Sequence, residues 1–126
     1  MGKGGGKSSA RGGGGAGTRS GGSGPKDRSE MTQSEKDAEI KAVDNMQFKD
    51  VNVKTFNRYN DTIVSNAETQ NTRVQITQRE TMNGTEYNVS MYSGGKIVGM
   101  TQANTLSQAK SRAREAMKDY YKGYNF

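Results

Sequence analysis

The feature that most restricts what this chain can fold into is an alternation of apolar and polar residues over 73–101, interrupted twice by glycine-containing turns. Side chains of a strand point to opposite faces in turn, so strict alternation reads as a strand with one face buried and the other wet. Residues 73–77 put Val74 and Ile76 on one side and Arg73, Gln75 and Thr77 on the other. Asn83-Gly84 then supplies residues that tolerate positive φ in a two-residue hairpin turn. Tyr87, Val89 and Met91 share the next apolar face, with Asn88, Ser90 and Tyr92 opposite. A second turn, Ser93-Gly94-Gly95-Lys96, leads to a third strand over 97–101. There Val98 and Met100 share a parity, and Gly99 marks a bulge or a close approach. Links this short predict a three-stranded antiparallel meander.

At residue 105 the period changes. Thr105, with Gln108 three residues on, has the pattern of a capping box. Leu106, Ala109, Ala113, Ala116, Met117 and Tyr120 recur at three- and four-residue spacing, an apolar stripe to lay across the sheet. Lys110, Arg114 and Lys118 stand four apart on an adjacent face, about 6 Å from step to step.

Composition sets limits around this unit. Only 29% of the 126 residues are hydrophobic, so part of the chain alone can bury a core, and one small domain over 48–126 is expected. The chain has no cysteine and no histidine, which removes disulfides, thiolate nucleophiles, imidazole bases and the commonest zinc ligands together. Asp50, Asp61, Glu68, Glu80, Glu86, Glu115 and Asp119 are scattered, without a pair spaced for acid/base work or metal binding. The hydroxyls have no base to activate them. A non-enzymatic protein without metal or cofactor is expected. No run approaches the roughly 20 apolar residues of a membrane span, and the first residues lack the apolar core of a secretion signal. The expectation is a soluble cytoplasmic protein with no membrane partner.

Charge falls in blocks. The net charge is +6; residues 1–29 hold six Lys or Arg against one Asp, 30–45 two against five acids, and 46–126 eleven against seven. Basic segments flanking an acidic one favour polyanions such as nucleic acid, and the same balance also serves solubility. Residues 1–25 contain twelve glycines and gain too little from burial to offset the entropy of ordering, so 1–29 reads as a disordered basic tail. Within it, Gly6-Lys7-Ser8 lacks the leading glycine and preceding strand of a phosphate-binding loop. Gly2 lacks the Ser or Thr that a myristoylation site needs. Arg11-Gly12-Gly13 is one copy of what, repeated, is an RNA-binding tail.

Thr32-Gln33-Ser34-Glu35 is a second capping-box pattern, opening a short acidic helix or linker over 30–47. Its apolar face, Ala38, Ile40, Ala42, Val43 and Met46, is thin, so weak docking is expected. In 51–67, Val53, Phe56, Tyr59, Ile63, Val64 and Ala67 fall at helical spacing, which predicts a helix despite many β-branched residues and asparagines. The rival reading is a strand over 51–56 at the edge of the meander.

The resulting order, helix, three antiparallel strands, helix, resembles the double-stranded RNA-binding domain over 51–121. The likeness lies in Asn83-Gly84-Thr85-Glu86-Tyr87-Asn88-Val89-Ser90-Met91, in Gly94-Gly95-Lys96-Ile97-Val98-Gly99 and in residues 105–117. It implies an α+β fold: a three-stranded antiparallel meander packed against a C-terminal amphipathic helix, with a preceding helix. It also implies phosphate contacts from the start of the last helix. Ala109-Lys110 matches the end of that basic motif, with Leu106 and Ser107 where the family has two lysines, and residues 82–85 lack the family's Pro and His. The core is also similar to integrase arm-binding and plant ethylene-response-type domains, which read a DNA major groove with the exposed sheet face. That face would carry Arg73, Gln75, Thr77, Arg79, Asn88, Ser90 and Tyr92, and Arg, Gln and Asn can make bidentate contacts to base edges. In size and style the chain resembles small phage or mobile-element proteins, anti-CRISPR proteins among them.

Candidate nucleic-acid-binding residues are therefore Ser107, Lys110, Arg114 and Lys118 on the helix, Lys96 at the second turn, and Arg73, Gln75, Arg79 and Tyr92 on the sheet. The expected function is a nucleic-acid-binding accessory protein acting on double-stranded RNA or DNA through the helix face and the tail. A protein-binding inhibitor of a nucleic-acid effector and a virion structural component are the alternatives. Glu115 and Asp119 intermix with the basic row, as on any solvated helix face. Tyr120, Tyr121, Tyr124 and Phe126 are suited to clamp the last turn to the core or to stack on bases.

Overall fold

Five antiparallel strands in chain order, rather than three, make the sheet. In the computed structural model, which describes residues 24–126, the elements run α1 (Gln33–Asn45), β1 (Lys49–Lys54), β2 (Thr62–Glu68), β3 (Thr72–Thr81), β4 (Gly84–Ser93), β5 (Lys96–Ala103) and α2 (Leu106–Tyr121). The readings made on Gly2, on Gly6-Lys7-Ser8, on Arg11-Gly12-Gly13 and on most of the tail lie outside the described residues.

The expected helix over 51–67 is overturned: its residues form β1, β2 and the loop between them. Phe56 (φ 58°) and Asn60 (φ 56°) adopt left-handed backbone, which a right-handed helix cannot contain. Of the supposed stripe only Ala67 is buried, while Val53, Phe56 and Tyr59 stand exposed. A second alternating pattern wins here. Ser65 pairs with Ile76 and Ala67 with Val74, so β2 adds small side chains to the apolar face and satisfies the open edge of β3. The rival strand reading identified β1 but misplaced it, since β1 pairs with β2 rather than with the expected meander.

β3 and β4 behave as their alternation predicts. They pair without a slip from Thr72↔Ser93 to Thr81↔Gly84, so the two-residue loop is Met82-Asn83 rather than the expected Asn83-Gly84, and Gly84 alone takes positive φ there (115°); Val74, Ile76, Val89 and Met91 are fully buried on one face. Burying four such side chains supplies about 1.5–3 kcal/mol each. β5 departs from its expected parity because the β4–β5 register shifts between Met91 and Tyr92. Met91 therefore faces Gly99, and Met100 is 66% exposed. Gly99 borders the register shift and sits at a close approach: a Cβ there would run into the Phe126 ring, which stacks on Tyr120 at 5.7 Å.

Both helices lie on the Val74 and Met91 face. α2 buries Ala109, Ala113, Met117, Tyr120 and Tyr121 there, the alanines allowing close approach. Thr105 Oγ1 accepts from Gln108 N, but the Gln108 side chain accepts from Asn104 N rather than closing the box on Thr105.

α1 docks firmly rather than weakly, because its thin apolar face is reinforced by polar ties. Thr32 and Glu35 close a capping box, and Val43 and Met46 are buried. Glu39, 4% exposed, accepts hydrogen bonds from Thr72 Oγ1 (2.6 Å), Asn71 Nδ2 (2.9 Å) and Thr69 Oγ1. Thr72 and Ser93 hydroxyls in turn meet the Tyr121 hydroxyl at 2.8 and 2.7 Å. One buried polar chain thus joins α1, both central strands and α2, and a network satisfied in this way rigidifies what it joins. Residues 24–30 also extend this end of the molecule, with Lys26 N donating to Asn71 Oδ1 and Tyr120 Oη to Asp27. Burial followed by the Asp27 hydrogen bond pushes the Tyr120 hydroxyl well above the ordinary tyrosine range.

Candidate functional site

Strand pleating sends every second side chain of β3 and β4 away from the helices. The cross-strand pairs on that side are Arg73 with Tyr92, Gln75 with Ser90, Thr77 with Asn88 and Arg79 with Glu86. On β2, Asn66 pairs with Gln75 and Glu68 with Arg73, and on β1 Lys49 pairs with Asn66. No helix covers this outer face among the described residues, since both helices pack on the opposite one.

Two stacked pairs mark its ends. The Arg73 guanidinium lies 4.2 Å from the centroid of the Tyr92 ring, and among the described residues Arg73 forms no ion pair. At the other end, the Arg79 guanidinium lies 3.9 Å from the Tyr59 ring. Arg79 also donates through Nε and Nη2 to Asp61 Oδ1 and Oδ2 at 2.8 and 2.9 Å. This bidentate bond, with a further one from Asn57 Nδ2, holds the Asp61 carboxyl below the ordinary carboxylate range. Asp61 also fixes the β1–β2 loop, because Thr55 donates both N–H and hydroxyl to its carbonyl. Beside Arg73 the face sinks into a hollow of ≈ 410 Å³, lined by Gln47, Lys49, Asn66, Glu68, Gln75 and Arg73 itself. A smaller hollow next to it includes Pro25 and Tyr92, so the chain leading back into 1–23 leaves the described structure beside the Arg73 and Tyr92 pair.

The basic row of α2 is placed differently. Lys110 pairs with Asp50 at 2.9 Å, and Lys118 with Asp44 at 2.9 Å and Glu115 at 3.0 Å. Arg114 Nη1 donates to the carbonyls of Val43 and Asp44, both at 2.8 Å, adding a charged donor at the C-terminal end of α1, where Val43 O also accepts from Met46 N. Its guanidinium also lies 5.5 Å from the Phe48 ring. Hydrogen bonds from the two lysines hold the Asp44 and Asp50 carboxyls below their ordinary range. All three cations thus tie α2 to α1 and β1. Ser107 is exposed in the first turn of α2 and Lys96 at the β4–β5 turn, neither of them on the outer sheet face with the arginines.

Of the sheet candidates, Arg73, Gln75, Arg79 and Tyr92 share one face as their parity predicts. Lys49, Asn66 and Tyr59 belong with them; the helical reading of 51–67 hid Asn66 and Tyr59 directly, and Lys49 by hiding the strand it pairs with. The β-branched run Thr62-Ile63-Val64 before Asn66 is the signal that could have revealed them. Among the described residues there is no group of three or more Asp or Glu placed to hold a metal ion, and no helix is long and apolar enough to cross a membrane. Comparison with protein-family models, with curated proteins and with solved structures finds no match to this chain.

Proposed function

We propose that this protein binds nucleic acid without acting on it chemically, through the outer face of its sheet and the basic segment 1–23. One observation carries the reading. The outer face presents a stacked Arg and Tyr pair beside Gln75, Asn66 and Lys49, with no element laid over it among the described residues. Guanidinium and aromatic planes take the flat faces of bases, while amides and cations take base edges and phosphates. The segment that joins this corner carries Lys3, Lys7, Arg11 and Arg19 without an acid, a source of non-specific attraction to phosphate. The α2 row is not needed for this role, since its charges already serve the fold.

The test is fluorescence anisotropy with labelled DNA and RNA at two salt concentrations, comparing Arg73→Ala with Lys110→Ala. Salt-sensitive binding lost on Arg73→Ala supports the reading, and binding lost only on Lys110→Ala overturns the choice of surface. A protein partner is the second reading, favoured by Ile97 and Met100, which are 53% and 66% exposed on β5. Absence of binding to any polynucleotide at low salt selects it.

A further inference from the structure

We infer that the outer sheet face takes a single strand rather than a duplex, its bases stacking at the Arg73 and Tyr92 pair and at the Arg79 and Tyr59 pair. This rests on the nucleic-acid reading above and narrows it. The resemblance that led to a duplex depended on an α-β-β-β-α order that the chain does not have.

Dimensions weigh against insertion of the whole face into a major groove. Five strands are about 19 Å across at about 4.8 Å per gap, whereas a DNA major groove is about 12 Å wide and admits a helix or a two-stranded ribbon. Charge points the same way. A duplex presents one phosphate charge per about 1.7 Å of axis and is held by rows of cations, yet residues 24–126 carry fifteen Lys or Arg against thirteen Asp or Glu. The one regular cationic row among the described residues, on α2, is engaged by Asp44, Asp50 and the carbonyls of α1.

What the outer face offers instead suits unpaired bases. Arg73 and Arg79 lie six residues apart on the same side of β3, about 20 Å along the strand. Each stacks on a tyrosine from a neighbouring segment, Tyr92 on β4 and Tyr59 in the β1–β2 loop. Between them Gln75, Thr77, Asn88 and Ser90 form two polar cross-strand pairs. Two π platforms separated by the Gln75 amide and the Thr77 and Ser90 hydroxyls, with the Asn88 Nδ2 buried beneath them, match splayed bases, which stack by their faces and hydrogen-bond by their edges. The two arginines are not equivalent: Asp61 already takes the hydrogen-bonding edge of Arg79, leaving it a stacking surface, whereas Arg73 keeps its donors for a phosphate or a base edge.

The experiment uses the full chain and labelled 12-nucleotide DNA and RNA single strands, with blunt duplexes of the same sequences. Single strands should bind at least about 10-fold tighter than the duplexes, and Tyr92→Ala should weaken single-strand binding by about 5-fold or more, as for loss of one base stack. Tyr92→Phe should retain binding, because the ring and not the hydroxyl carries the contact. Arg73→Ala offers a second variant, and a thermal melt of each reports folding. Duplexes bound as tightly as single strands, still dependent on Arg73, would overturn the single-strand inference while leaving nucleic-acid binding in place. Absence of binding to every polymer would remove both.

Discussion

The cations of α2 and the arginines of β3 are equally well ordered by periodicity, one set every fourth residue of a helix and the other on one parity of a strand. Their fates differ. Lys110, Arg114 and Lys118 are met by Asp50, by the carbonyls of Val43 and Asp44, and by the Asp44 carboxylate. Arg73 meets only the ring of Tyr92 among the described residues and remains exposed. Periodicity tells which side chains share a face; it does not tell whether another element has arrived to use that face. Apart from Glu115, three residues before Lys118 on α2 itself, the acids that neutralise the α2 row come from 44–50, the junction of α1 and β1, whose placement depends on tertiary packing that no local pattern contains.

This contrast can be broken by substitution. The largest effect is expected on binding: Arg73→Ala combined with Tyr92→Ala should weaken affinity for a single strand by about 10- to 100-fold, through loss of stacking and of a charged contact. Thermal stability should barely move, since neither side chain enters the core. Removal of 1–23 comes next. It deletes four cations and should flatten the dependence of log K on log salt by up to about 3 for a single strand, a shift read from titrations at several salt concentrations.

On the other side, Arg114→Ala should leave binding unchanged and cost about 0.5–1.5 kcal/mol of stability, because the half-buried Val43 carbonyl keeps only its bond from Met46 N and the exposed Asp44 carbonyl turns to water. Urea denaturation checks this. Tyr121→Phe should cost a similar or smaller amount, because Ser93 loses its Tyr121 partner while Thr72 keeps its bond to Glu39.

The smallest effect concerns pH. The native Asp61 carboxyl lies below its ordinary 3.8, so its bond to Arg79 contributes stability that is fully present above that value. The contribution is lost as pH falls through the lower native value. An acid titration of Asp61→Asn against the parent should show the two melting curves converging below pH 3.8.

Much of the framework was legible in the sequence. The period-two alternation of 73–92 is strong enough that parity, hairpin and buried face all follow from it, and the capping residues of both helices are visible as Thr32 and Thr105. Two places resisted reading. In 51–67 the apolar residues happen to fall at helical intervals, and the open edge of β3, which only a strand can satisfy, is a tertiary demand that overrides them. In β5 a one-residue register shift splits Val98, packed against the core, from Met100, which is exposed, although alternation gives the two one parity, and nothing local to Ile97 or Val98 announces it. For the binding surface, Arg73, Gln75, Arg79 and Tyr92 could be named in advance because a strand displays its own pattern. Their neighbours Lys49, Asn66 and Tyr59 could not, because they reach the face only through the two strands that the helical spacing concealed.

The most direct test of the outer face as the binding surface is a map of backbone amide shifts as a 12-nucleotide single strand is titrated into the labelled full chain. The account predicts that changes concentrate at Arg73, Gln75, Ser90 and Tyr92 and extend toward Tyr59, with 110–118 unmoved. Shifts centred on Lys110, Arg114 and Lys118, with β3 and β4 silent, would contradict it.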